Sequence, residues 1–217
     1  MDQDKKRCAV FAARRFFGGG AGNFFLSPYP FSHFCGTITS SKERRPPQMR
    51  YTAACPSPVG RITLASDGRR LTGLWLEGQA YFGAGLSPAA EARPDLPVLR
   101  AAAAWLERYF AGARPSPREL PLGAAGTPFR QLVWSLLLEI PYGETLTYGA
   151  LAARAAQALG RPRMSAQAVG GAVGRNPISI VIPCHRLVGA DGGLTGYAAG
   201  VAVKARLLAL EGHANLT

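Results

Sequence analysis

Between Arg50 and Gly78 the chain reads RYTAACPSPVGRITLASDGRRLTGLWLEG. Short apolar runs broken by SPVG and SDG leave no room for a helix, since turn signals recur too soon. The stretch therefore predicts strand, turn, strand, turn, strand, a small antiparallel sheet. Residues 97–111, PVLRAAAAWLERYFA, change period: strong helix formers carry an apolar stripe, so a helix follows the sheet.

A Gly/Pro/Ser linker leads to Thr127, and from there the pattern is helical. TPFRQLVWSLLLEIPYGE opens with a capping Thr and a Pro in the first turn and stops before Pro141-Tyr142-Gly143. LTYGALAARAAQALG follows, with Thr147 as cap and Tyr148 in the first turn; GRPRM turns the chain, and SAQAVGGAVG forms a further short helix. Two short helices across a turn fit a helix-turn-helix, a pattern shared with any αα-hairpin. The expected fold is a small α/β part, an antiparallel sheet plus helix, followed by a mainly helical part with a helix-turn-helix. Its expected boundaries are 49–122, including the linker, and 123–217. Residues 1–48 contain FFGGGAGNFF, a Ser-rich run and KERRPP. They read as a poorly ordered extension, or as an incorrectly assigned start, since Met49 directly precedes the first strand.

Composition narrows the function. Of the 217 residues 47% are hydrophobic, enough for a core, yet no stretch is long and uncharged enough to span a membrane. The start MDQDKKRCAVFAARRFF lacks the pattern of a secretory signal. A cytoplasmic location is expected, where Cys8, Cys35, Cys55 and Cys184 remain free thiols. His33 and Cys35 form an H-x-C pair, too few ligands to predict a metal. A net charge of +12 draws the chain toward polyanions, nucleic acid among them.

The sharpest chemical signal is ISIVIPCHR, residues 178–186. A free cysteine on an apolar strand is normally a small hydrophobe. Here it is expected where such a strand ends, and His185 and Arg186 follow it. A low-dielectric site would raise the thiol pKa, and an adjacent histidine relieves this if an acid orients its ring. Asp191 and Glu211 are the candidate acids, and His213 is an alternative base. The pattern is that of an activated cysteine nucleophile, with protease-like, acyl-transfer and alkyl-transfer chemistry all open. The helix containing Ala166, Ala168, Gly170, Gly171 and Ala172 has almost no side chains, which suits close packing or close approach to a nucleic-acid groove.

PYGETLTYGALA, AVGGAVGRNPISIVIPCHRLVGADGGLTGYAAG and VKARLLALEGH together resemble the O6-alkylguanine-DNA alkyltransferases. The resemblance extends loosely back to about residue 50 through SPVGRITLASDGRRLTGLW. It implies a single-turnover transfer of an alkyl group from O6-alkylguanine, and more weakly from O4-methylthymine, to the protein's own cysteine. It also implies action on the minor groove of double-stranded DNA bearing alkylated bases, with no cofactor; a monomer is expected, with no membrane partner, and no metal-ligating residues are assigned. Carried over, Cys184 is the acceptor, His185 the base acting through a water, and Glu211 the residue orienting His185. Tyr148, Gln167, Ala168, Gly170, Gly171, Arg175, Asn176, Leu187, Tyr197 and Ala198 are the implied substrate- or DNA-binding residues. Asn176 is the implied hinge, Tyr148 helps rotate the nucleotide and donates toward N3 of guanine, and Arg186 holds local structure. Gln167 stands where the family commonly has an intercalating arginine, which predicts weaker DNA binding or a narrower substrate range. The turn containing Arg161 and Arg163 is lengthened and offers two phosphate contacts. The alternatives are a non-catalytic protein recognising alkylated DNA, a DNA-binding regulator of the same fold, and a cysteine hydrolase.

Overall fold

Asp67 builds the tighter of the two N-terminal turns: its Oδ1 accepts from Arg69 N at 2.9 Å and Arg70 N at 2.7 Å. In the computed structural model, which describes residues 49–214, the flanking segments are β1 (Met49–Cys55), β2 (Ile62–Ser66) and β3 (Leu71–Leu76). They pair antiparallel, Tyr51 opposite Ser66 and Ile62 opposite Leu76, as their pattern predicts. Gly73 is required inside β3, because a Cβ there would lie 2.2 Å from the Trp75 ring.

A fourth strand that the sequence reading did not anticipate, β4 (Leu86–Ala92), joins the other side of β1 in parallel. The sheet is therefore mixed, with order β3-β2-β1-β4. LSPAAEA has no alternation and contains Pro88. An edge strand with a register shift tolerates both, which is why periodicity could not reveal it. Helix α1 (Pro97–Phe110) lays Leu99, Ala102, Trp105, Leu106 and Tyr109 on the sheet, the stripe expected for 97–111.

The open edge of β3 is covered by two later segments. Leu71 N donates to Pro121 O and Gly123 N to Leu71 O, both at 2.8 Å, which seats the linker. Leu74 N donates to Pro177 O at 2.8 Å and Ser179 N to Leu74 O at 2.9 Å. The second pair docks the run before the cysteine directly onto the sheet.

The helical part comprises α2 (Pro128–Leu137), α3 (Tyr148–Ala158), α4 (Ala166–Val173) and α5 (Val201–Leu210). Thr127, Thr147 and Ser165 cap the first three through their side-chain oxygens. Two-residue strands β5 (Leu146–Thr147) and β6 (Leu187–Val188) pair in parallel. One core runs from Ile62, Leu64 and Leu74 through Trp105 to Val133, Leu151, Val169 and Leu207.

The expectation of a strand ending at Cys184 is corrected. Ile178–Ile182 forms a buried turn with only an isolated bridge between Leu74 and Ile178. Ile180 takes φ +68°, a conformation a β-branched residue rarely adopts and no strand allows. The run is apolar because it is enclosed on all sides. The extension 1–48, with His33, Cys8 and Cys35, lies outside the described residues.

Candidate functional site

Asn176, just past α4, organises the turn. Its Oδ1 accepts from Ile178 N at 3.0 Å, and its Nδ2 donates to Ile182 O at 2.8 Å and to Cys184 Sγ at 3.1 Å. One amide thus closes the loop and holds the thiol. Cys184 opens a single 3-10 turn, Cys184–Arg186, whose three side chains are all buried.

The three diverge in what they meet. Arg186 donates from Nε to Glu211 Oε2 at 2.7 Å, from Nη2 to Oε1 at 2.9 Å, and from Nη1 to Ile140 O at 2.6 Å. His185 Nε2 lies 2.9 Å from Glu211 Oε1. Tyr109 Oη donates to the same oxygen at 2.7 Å, and Gly143 N to Oε2 at 3.3 Å. Gly143 takes φ +76°, and a Cβ there would meet Glu211 O at 3.1 Å, so the Pro-Tyr-Gly turn needs glycine to reach α5.

Glu211 is ionised. Burial opposes its charge, but hydrogen bonds and charges of His185 and Arg186 outweigh that and hold it well below the usual carboxylate range. His185 is pushed the other way: burial lowers its pKa, Glu211 raises it, and the charges of Arg186 and Lys204 lower it again. We take the ring as neutral, because Arg186 already neutralises the carboxylate. Nε2 then carries the proton toward Glu211, and Nδ1, buried with no hydrogen-bond partner among the described residues, is left as an acceptor.

Burial also pushes the Cys184 thiol up, while the Asn176 amide and the Lys204 charge pull it partly back. At rest the group is a thiol beside a base. It faces a cavity of about 360 Å³. Tyr148, Gly170, Val173 and Gly174 line one side; Thr195, Gly196, Tyr197 and Ala198 line another; Ala80 and Tyr81 close a third. Tyr148 Oη donates to Gly196 O at 3.2 Å, and its pKa is pushed up to about 12, first by burial and then by Cys184, so it stays protonated at neutral pH.

The expected residues thus separate into groups. Cys184, Tyr148, Gly170, Asn176, Tyr197 and Ala198 converge on the cavity, and His185, next in the chain to the thiol, pairs with Glu211 outside the lining. Gln167, Ala168 and Gly171 lie on the exposed face of α4, outside the lining. A Cβ at Gly171 would meet nothing within 4 Å, so packing within the protein does not require that glycine. Arg175 is exposed, with its guanidinium 3.9 Å from the Tyr81 ring centroid. Leu187, expected at the substrate, is instead a fully buried core residue in β6 and does not line the cavity; its β-pairing to Leu146 turns it inward. Asp191 is not the orienting acid: its Oδ1 accepts from Gly193 N at 3.0 Å in an exposed loop. His213 Nε2 lies 2.9 Å from Gly143 O, tying down the end of α5. Arg161 and Arg163 are exposed.

Sequence reasoning missed Tyr109, Gln79, Ser179, Tyr81 and Lys204. Lys204 was findable: Lys204, Leu207, Leu208 and Glu211 share one helical face, so a lysine stands in an apolar stripe. Its Nζ donates to Thr195 O at 2.6 Å, anchoring the cavity loop, and burial lowers its pKa while Cys184 raises it.

This architecture matches known proteins along almost all its described length. Residues 49–124 match the family described as 6-O-methylguanine DNA methyltransferase, ribonuclease-like domain, and residues 128–213 match its DNA binding domain. A methylated-DNA–protein-cysteine methyltransferase of Haemophilus influenzae is 44% identical over 161 residues, 74% of this chain and 86% of that protein. The constitutive enzyme of that name from Bacillus subtilis is 38% identical over 164 residues, covering 75% of this chain and 96% of that protein. The crystal structure of Mycobacterium tuberculosis OGT in complex with DNA superposes with a TM-score of 0.64 at 40% identity, covering 74% of this chain and 92% of that one. The chain belongs to the 6-O-methylguanine DNA methyltransferase family, whose members are DNA-repair methyltransferases.

Proposed function

We propose that this protein repairs double-stranded DNA by transferring the alkyl group of O6-alkylguanine, and more slowly that of O4-methylthymine, to Cys184, once per molecule. The observation that carries the reading is a cavity-lining thiol next in the chain to a histidine held by a buried acid. Cys184 Sγ faces the cavity while Glu211 fixes the tautomer of a neutral His185 whose Nδ1 has no protein partner.

An O6-alkyl group is buried in the duplex, so the nucleotide must leave the stack, at a cost of about a few kcal/mol. The α3–turn–α4 unit serves as a helix-turn-helix for this, its small residues letting α4 press into the minor groove. Gln167 enters from that face, and Tyr148 helps rotate the nucleotide. Arg161 and Arg163 are exposed to meet phosphates, and Arg175 lies at the end of α4 stacked on Tyr81. His185 Nδ1 then takes the thiol proton through a water. The S–C bond forms as the C–O6 bond breaks, and the electron pair passes to the guanine, where Tyr148 donates toward N3 to offset the developing charge. The product thioether has no good leaving group, so the thiol is not regenerated.

No cofactor enters this scheme. In this reading 49–122 is the α/β part and 123–217 carries DNA contact and chemistry. The protein works as a monomer in the cytoplasm. Intact-protein mass spectrometry after incubation with a duplex bearing one O6-methylguanine tests the reading. The expected result is a gain of one methyl, about 14 mass units, saturating at one per protein and absent in Cys184→Ala. Bound duplex with no mass change overturns it in favour of a recognition protein.

A further inference from the structure

We propose that Tyr81, braced by Arg175, is the specificity-determining wall that limits how large an alkyl group the cavity accepts. The inference rests on the alkyl-transfer reading above and extends it to the size of the alkyl group that is transferred.

The other large side chains around the cavity are fixed in place. Tyr148 is bonded to Gly196 O, the Tyr197 hydroxyl is shut away from solvent, and Val173 belongs to the core. Tyr81 differs: it lines the same cavity yet is 50% exposed. What holds it is local. Ala80 N donates to Ala198 O at 2.8 Å, tying the loop after β3 to the loop on the neighbouring wall. Gln79 Oε1 accepts from Leu76 N at 2.8 Å and Ser179 Oγ at 3.2 Å, anchoring the same loop to the turn before the cysteine.

Within that frame Tyr81 takes φ +61°, a conformation that side-chain-bearing residues adopt rarely and keep where surroundings over-determine them, often at functional sites. Its ring then meets Arg175 face on, 3.9 Å from guanidinium carbon to centroid. The pair spans from the sheet loop to the end of α4 and closes the side of the cavity between them. A phenol ring here occupies about the room that a benzyl substituent would need.

The test measures alkyl transfer to Cys184 by intact mass from two duplexes, one bearing O6-methylguanine and one O6-benzylguanine, and compares the benzyl-to-methyl rate ratio across variants. Tyr81→Gly suits the left-handed backbone, so the fold tolerates it, which a thermal melt checks. Its ratio is expected to rise by about tenfold or more, the scale on which cavity room discriminates substrates. Tyr81→Phe keeps ring and cation contact and is expected to hold the wild-type ratio. Arg175→Ala frees the ring to swing and is expected to raise the ratio by a smaller factor. A Tyr81→Gly ratio within about twofold of wild type, with methyl transfer observed, overturns this proposal alone. Absence of both adducts on the wild-type protein overturns the alkyl-transfer reading, and this one with it.

Discussion

Replacing Glu211 with glutamine keeps volume and shape but removes the charge that Arg186 faces. The wild-type carboxylate takes two bonds from Arg186, at 2.7 and 2.9 Å, together with contacts from His185, Tyr109 and Gly143. Both side chains of the ion pair are essentially inaccessible, Arg186 at 8% and Glu211 at 0%. After substitution a guanidinium remains in the interior with neutral acceptors alone, Ile140 O and the amide oxygen at 211, and no counter-charge. Leaving one buried charge uncompensated costs about 3 to 5 kcal/mol. With a urea m-value of about 2 kcal/mol/M, that lowers the unfolding midpoint by about 1.5 to 2.5 M.

The reciprocal change is expected to be milder. Arg186→Met leaves a carboxylate that keeps three donors and can take up a proton, whereas a guanidinium cannot shed one. The double variant is expected to cost less than the sum of the singles by about 1 to 3 kcal/mol. Equilibrium urea denaturation of the four proteins at pH 7.5, the pH of this experiment being set above His titration, measures all of this. A loss below about 1 kcal/mol for Glu211→Gln, or additivity within about 0.5 kcal/mol, would refute the ion-pair account.

Three other outcomes follow from the same geometry. Tyr109→Phe removes a donor from an ionised acceptor and is expected to cost about 1.5 to 3 kcal/mol in the same denaturation assay; a loss under about 0.5 kcal/mol would discount that bond. His185 has a folded pKa below that of the unfolded chain, so below about pH 6.5 the unfolded state binds a proton that the folded state refuses, and stability falls with pH until the folded pKa is passed. Glu211, also depressed, contributes fully above about pH 4.3 and loses its contribution as pH falls toward its folded value, so the two slopes run in the same direction. Midpoints measured from pH 5 to pH 7.5 are expected to rise with pH, more weakly in His185→Gln; a flat wild-type profile across that range would contradict the assignment of a neutral ring. Gln167→Arg, on the exposed first turn of α4, is expected to tighten duplex binding, and unchanged affinity in a titration at fixed salt would remove Gln167 from the interface.

Much of this was readable in the sequence because it depends on neighbours along the chain. The turn at Asp67, the caps at Thr127 and Thr147, and the stripe on α1 are local signals, and each appears where its pattern places it. The segment from 178 to 182 was misread for a definable reason. A continuous apolar run reports enclosure, and both a central strand and a buried turn are enclosed. What separated them was Asn176, whose single amide satisfies Ile178 N and Ile182 O and so replaces the hydrogen bonds a strand would have sought from neighbours. The choice between Asp191 and Glu211 was equally beyond spacing, since it depends on how α5 folds back beside the cysteine.

Three of the five residues that escaped prediction share an origin. Tyr109, Gln79 and Tyr81 all come from the sheet-bearing part, while the nucleophile lies in the helical part. The exposed backbone edge of β3 brings them together: it binds Pro177 and Ser179 through Leu74, which sets the turn before Cys184 against the loop that follows the same strand. Tyr109 reaches Glu211 from the last turn of α1, which the sheet positions from beneath. The sheet is thus more than a support for the helices, because the acid behind the base and one wall of the cavity depend on it. Weakening that edge should disturb the site before the fold. Proline at Ser179 would delete one donor of the two-bond bridge, and the geometry around Cys184 would lose its anchor while the helical core around Leu151, Val169 and Leu207 remained intact.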